Sequence, residues 1–553
     1  MVASVYGRHI VMTCLFGLLC LGPGNARAED VVVKRFNAGT GFNSVGITAG
    51  EEGEDKEEDA PQALYAGDDG KVFVLDQVNG RILHFDPANP TAPPQTLQLP
   101  PGLQPTDLVV KGDDIYVWDG TAHALKALGA ADAPVRGLTE TRSSEPLDDG
   151  TQSAFAQMGS QPLPEDDIST RSLANPKTPD FSRQVVSTRG RGDLTVDIAQ
   201  TDKGAGAELI IRQKGTTATI AKLDVRVRDR LGSVAFLEMD REGRSFVLLE
   251  NIPNAVGEQA AAFVARYGPK GAIEGLYELP LASTTTVSRR FVTISPDGDV
   301  YFLRTQKTGV DIIGLGFRAT PNAKILTTSA VQQPNYAALA IAQTKGMSMA
   351  VGPLTRDKIV QIAYGFEGVQ WKLSEANYGS DPDQQCNGFA DRIRRPMYLI
   401  GRKDEIVRSV PYCWGCQGSL AQFVARVEKG ALAGNVCTKN NVRFDVVGVD
   451  CSSFVSATWG LSSHFATSAI PSVTKELASA WDLLPGDALD KPGSHVVLFL
   501  GFTPDRKAMV MEASPGGCRG NVCRNIYPLS SLLARGFVPL RYRGLLEDTT
   551  ASK

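Results

Sequence analysis

Four times between residues 64 and 303 the chain repeats one unit: an apolar β-rich run, a tight turn built on Asp and Gly, and a second apolar run. Leu64-Tyr65-Ala66, Asp68-Asp69-Gly70 and Val72-Phe73-Val74-Leu75-Asp76 form the first copy, and Arg81-Ile82-Leu83-His84-Phe85 adds a third strand. The unit returns at Leu108-Val109-Val110 with Ile115-Tyr116-Val117-Trp118, at Phe236-Leu237-Glu238-Met239 with Ser245-Phe246-Val247-Leu248, and at Val292-Thr293-Ile294 with Val300-Tyr301-Phe302-Leu303. Asp and Gly suit hairpin turns because both tolerate left-handed backbone. Asp69 and Asp113 stand 44 positions apart, close to the length of one propeller blade. A pair of β-sandwiches also has short strands at such spacing. Recurrence of the whole strand-turn-strand unit favours a propeller, with roughly six or seven blades over residues 61–368. The stretch 139–182 is rich in Ser, Pro, Asp and Thr and reads as a polar insertion.

Little in this half carries chemistry. His84 and His123 stand alone, and the Asp-Gly turns have a sufficient backbone explanation. It reads as a binding or scaffolding module, with a protein partner as one expected ligand. A formal net charge of −4 and the lack of a basic cluster leave no electrostatic footprint for nucleic acid.

At the start, Arg8 and His9 precede the apolar run Ile10 to Leu21, and Ala26-Arg27-Ala28 supplies small residues at a cleavage site. Residues 1–28 therefore read as a secretory signal peptide cleaved after Ala28, which predicts a periplasmic or secreted protein. The apolar run is too short to span a bilayer, and no later segment resembles a transmembrane span. Residues 29–60 form an acidic N-terminal segment, whose run from Glu51 to Asp59 reads as a solvated loop.

Nine cysteines are present, and Cys14 and Cys20 fall in the signal. The other seven, Cys386, Cys413, Cys416, Cys437, Cys451, Cys518 and Cys523, all lie in the last third. In an oxidising compartment an odd count suggests three disulfides and one remaining thiol. Cys518 and Cys523 suit a local bridge, four others can pair in three ways, and Cys451 is the economical choice for the thiol. Cys413-Trp414-Gly415-Cys416 has zinc or redox spacing, but no second such pair or paired histidines accompany it, so no metal or cofactor is expected.

Residues 371–545 read as an α+β domain followed by a short tail, 546–553. After the extended Asp445-Val446-Val447-Gly448-Val449, the residues Phe454, Val455, Ala457, Thr458 and Trp459 recur on one helical face. Cys451 thus opens a helix with Asp450 near its cap, where the dipole favours a thiolate. A buried half-cystine is the bland alternative. Two histidines lie in this region: His464 in a polar loop, and His495 at the head of the apolar strand Val496-Val497-Leu498-Phe499-Leu500. Such a strand is buried, which suits His495 to the role of fixed general base. If the hairpin that follows is symmetric about Thr503-Pro504, Glu512 lies opposite His495 and orients it. A one-residue slip would send Glu512 to the other face.

Pro411-Tyr412-Cys413-Trp414-Gly415, Asp450-Cys451-Ser452-Ser453-Phe454-Val455, Leu484-Pro485-Gly486-Asp487 and Ser494-His495-Val496 together resemble the ordered motifs of NlpC-type cell-wall peptidases. The turns and strands of the first half resemble β-propellers with NHL-like repeats. The peptidase resemblance, over about residues 405–515, implies a papain-like core that cleaves peptidoglycan stem peptides next to γ-D-glutamate. It implies Cys451 as nucleophile, His495 as base, Glu512 as third polar residue, and Tyr412, Asp450 and Ser452 at the substrate site. Two departures stand out: that family usually has glycine where Ser453 stands, and a shorter connection than the 39 positions from Tyr412 to Cys451. Other expectations are a binding or assembly protein with an inactive C-terminal domain, an acyltransferase, or a peptidase acting on something other than cell wall.

Overall fold

The computed structural model describes residues 29–48, 58–130, 133–141, 147–158, 181–201, 204–319, 354–379, 394–437 and 444–546. The expected signal peptide, most of the acidic run, much of the expected polar insertion, Cys386 and nearly all of the tail lie outside the described residues.

The apolar runs separated by turn residues form five four-stranded antiparallel meanders. The first contains Ala63–Ala66, Val72–Asp76, Arg81–Phe85 and Gln95–Gln98, and the second Asp107–Lys111, Asp114–Trp118, Ala122–Ala127 and Val135–Glu140. Their last strands pair in parallel, Thr96 opposite Val135. The third runs through Phe181–Thr188, Gly192–Thr201, Gly206–Gln213 and Thr219–Arg226. The fourth runs through Arg230–Met239, Ser245–Ile252, Ala261–Tyr267 and Ile273–Leu279. The fifth takes Val292–Ile294, Val300–Gln306 and Gly309–Gly314, and its fourth strand is Val31–Ala38 from the start of the chain, with the two-residue strand Ser44–Val45 paired outside it.

The first strands of the meanders form a ring. Ala63–Ala66 touches both Asp107–Lys111 and Val292–Ile294, and Arg230–Met239 touches both Phe181–Thr188 and Val292–Ile294. Between the second and third meanders, helix Asp149–Gln157 packs on Asp107–Lys111 and Phe181–Thr188. Asp148 caps this helix through the Thr151 N–H at 2.9 Å, and Phe155 and Met158 are buried. The fold is mostly β and propeller-like.

Three expectations need correction. Blades number five among the described residues where six or seven are expected, because the described residues between Glu140 and Phe181 form helix Asp149–Gln157 and not a blade. Residues 31–38 belong to the propeller rather than to a separate acidic segment, pairing with Gly309–Gly314 so that the start of the chain closes the last meander. The propeller also ends before 368. Helix Arg356–Gly368 buries Ile359, Val360, Ala363 and Phe366 in one core with Trp371, Phe454 and Trp459 of the C-terminal domain.

That domain is α+β. Its antiparallel sheet has the order Thr474–Glu476, Val538–Tyr542, Ala488–Lys491, His495–Phe502, Ala508–Ser514, Asn521–Tyr527. Val496, Leu498 and Leu500 face the core containing helices Arg356–Gly368, Leu420–Glu428 and Cys451–Thr458. Val497 and Phe499, on the opposite face, share a second core with Ile252 and Ala260 of the propeller. The unbroken apolar run 496–500 is thus buried on both sides, one by helices and one by the other unit.

Polar contacts reinforce this junction. The Ser530 N–H donates to Glu250 at 2.6 Å, Arg506 donates to the Leu231 carbonyl at 2.7 Å, and Lys507 Nζ donates to the Gln157 carbonyl at 2.8 Å. His123, expected to stand alone, lies between Asp119 at 2.7 Å and Glu140 at 2.8 Å. The hydrogen bond to Asp119 raises its pKa to about 9.

Candidate active site

Cys451 is the first residue of helix Cys451–Thr458. Asp450 before it is extended, and its Oδ1 accepts from the Ser453 N–H at 2.7 Å while Ser453 Oγ accepts from the Asp450 N–H at 2.9 Å. This reciprocal capping box fixes the helix start and gives Ser453 a structural role that glycine could not fill. Asp450 Oδ2 also accepts from the Gly415 N–H at 3.0 Å, tying the Cys413–Cys416 disulfide loop to the helix. Cys518 and Cys523 form a second disulfide, and Cys437 is also oxidised. Cys451 keeps its thiol, 1% exposed, at the positive end of the helix.

The helix packs directly on strands His495–Phe502 and Ala508–Ser514. His495 opens the first strand and Glu512 lies on the second, with Nε2 and Oε2 2.6 Å apart. The register differs from the symmetric hairpin: Leu498 pairs with Met511 and Phe499 with Val510, with an irregularity before Gly501. The offset is two residues, an even number, so Glu512 stays on the face of His495. Glu512 is buried, and its Oε1 accepts from Asn525 Nδ2 and from the Tyr527 hydroxyl, each at 2.7 Å. Burial alone would raise its pKa, but hydrogen bonds from His495, Asn525 and Tyr527 outweigh that and hold the carboxyl below its ordinary value. An ionised Glu512 facing Nε2 makes that nitrogen the donor and Nδ1 the basic atom in the neutral ring.

The remaining expected residues surround the helix start. Tyr412 pairs through its backbone with Val449, but its side chain is 1% exposed within the core that holds Cys451 and Trp414. It therefore packs beneath the site rather than lining an open surface. Ser452 Oγ lies 3.0 Å from Asp450 Oδ1 and 2.7 Å from His464 Nε2. His464, read from sequence as an exposed loop residue, is held beside helix Cys451–Thr458.

Sequence reasoning also missed Asn525 and Tyr527. Their signal was period-two alternation: in strand Asn521–Tyr527, Cys523 faces Glu512, so Asn525 and Tyr527 share that face. Glu58, Thr286, Lys491 and Phe537 close around His495 and Glu512. The cavity left is about 20 Å³, room for about one water.

No known family's sequence profile matches the chain, and no curated protein matches it. Among solved structures, the hydrazine synthase of Kuenenia stuttgartiensis is 11% identical, with 47% of this chain and 78% of that one covered and a TM-score of 0.24. A streptogramin B lyase is 13% identical over 51% of this chain and 97% of its own, with a TM-score of 0.21. The aldose sugar dehydrogenase of Streptomyces coelicolor is 11% identical over 53% of this chain and 100% of its own, with a TM-score of 0.22. Likeness at this level assigns no activity; the fold is defined by strand pairing and the chemistry by side chains.

Proposed function

We propose that this protein is an exported thiol hydrolase that cleaves amide bonds through Cys451, His495 and Glu512. The observations that support the reading are the retained thiol of Cys451 at a capped helix start and the buried 2.6 Å contact of His495 with Glu512, which lies on the propeller-facing side of the sheet whose other face carries the Cys451 helix. A thiolate at a helix start attacks the amide carbonyl carbon, and the Cys451 N–H offers a donor to the oxyanion. His495, protonated and oriented by Glu512, gives its proton to the leaving amine. The resulting thioester is attacked by water, which passes a proton to His495, and release of the acid restores the thiolate beside protonated His495.

The substrate class, stem peptides of peptidoglycan cut after γ-D-glutamate, follows from the resemblance of the motifs to NlpC-type peptidases, whose core is papain-like. Export to the periplasm or medium agrees with the disulfides. Among the described residues no helix is long and apolar enough to cross a membrane.

Cys451→Ala is expected to abolish release of fragments from purified muropeptides, measured by mass spectrometry, while the circular dichroism spectrum stays that of the parent. Full activity in this variant would refute the mechanism. The burial of Cys451 and the small cavity at His495 favour a second reading, a binding protein with a closed, inert C-terminal site. Native-state labelling of Cys451 with a thiol-directed probe separates the two: an enzyme must open enough to react.

A further inference from the structure

Both neutral donors to Glu512 are held by a residue of the other structural unit. Arg289 lies between the fourth and fifth propeller meanders and is buried. Its Nη2 donates to Asn525 Oδ1, and its Nη1 to the Ile526 carbonyl at 3.2 Å. Its guanidinium carbon lies 5.4 Å from the centroid of the Tyr527 ring. Asn525 turns Nδ2 to Glu512 with its oxygen engaged by Arg289 and the same Nδ2 3.3 Å from the Gly517 carbonyl, and Tyr527 donates to the same Glu512 oxygen. With that guanidinium removed, the Asn525 amide can turn over and present its oxygen to the carboxylate, a repulsive contact.

We propose that Arg289, supplied by the propeller, is a positioning residue for the Glu512–His495 pair, so that the propeller completes the active site instead of merely accompanying it. The proposal rests on the hydrolase reading for its catalytic meaning, but its geometry can be tested without it. Arg289 does not touch the reacting atoms; it acts through Asn525 and Tyr527. Neighbouring Arg290 has a different task within the propeller, pairing with Asp107 at 2.7 and 2.9 Å.

The experiment is an NMR titration of the His495 imidazole in the full chain labelled at histidine, with Cys451 alkylation by iodoacetamide followed in parallel. Arg289→Met is expected to lower the His495 midpoint by about one pH unit, because a loosened carboxylate supports the imidazolium less well. Arg289→Lys, which keeps charge but not the two-point grip, should fall between and guards against a misfolded Met variant. Arg506→Met loosens the same interface away from Glu512 and should leave the midpoint at the parent value. An unchanged midpoint in both Arg289 variants overturns the proposal. An equal shift in Arg506→Met also overturns it, since general loosening would then suffice. If instead the midpoint depends on Arg289 while Cys451 resists alkylation in the parent protein, the positioning role stands and the hydrolase reading fails.

Discussion

His84 is buried, its ring stacked on Phe73 at 5.1 Å between centroids, and neither ring nitrogen has a hydrogen-bond partner. Burial lowers its pKa to about 4, against about 6.5 in an unfolded chain. The unfolded state therefore takes up the proton first, so stability is full above about pH 6.5 and is lost as pH falls toward about 4. His84→Phe keeps the stacked ring and removes the unpartnered nitrogens. It should flatten the acid limb of urea unfolding by about 1–3 kcal/mol near pH 4; an acid limb identical to the parent's would contradict this. Ser453 shows the same principle with the opposite sign, because its hydroxyl satisfies the buried Asp450 N–H. Ser453→Ala should lower stability by about 1–2 kcal/mol in denaturant unfolding. Chemistry at single residues was partly readable from the chain: few histidines and an odd cysteine count direct attention to His495 and Cys451. Arg289 carried no such signal, since 236 positions separate it from Asn525.

At the level of elements, alternation was the most informative pattern. Hairpin His495–Phe502 with Ala508–Ser514 tolerated a wrong register because side-chain direction depends only on whether the offset is odd or even. Strand Asn521–Tyr527 adds its donors by the same rule. Blade number was harder to read. A turn marks where a hairpin closes but not how far its strands extend, and described strands within the propeller range from 2 to 10 residues. Helix Arg356–Gly368 presents an apolar stripe equally suited to either neighbour, and packing alone assigns it to the C-terminal core.

On the scale of the whole molecule, the C-terminal sheet has no solvated face at its centre. Leu489, Val497, Phe499 and Val510 share a core with Ile252 and Ala260 of the propeller, so separating the units would expose this surface to water. A fragment of residues 354–546 should bind a hydrophobic dye and melt below the transition of the same domain in the full chain; equal melting with no dye binding would show that the interface is dispensable. By itself, the sequence determined the strand-turn-strand texture, the helix opening at Cys451 and the polarity of each strand position, since these depend on local periodicity and turn chemistry. Tertiary structure alone decided how many blades close the ring, which strand joins its ends, and that a propeller arginine holds the donors of Glu512. Those features rest on contacts between residues hundreds of positions apart, where no local pattern constrains the partner.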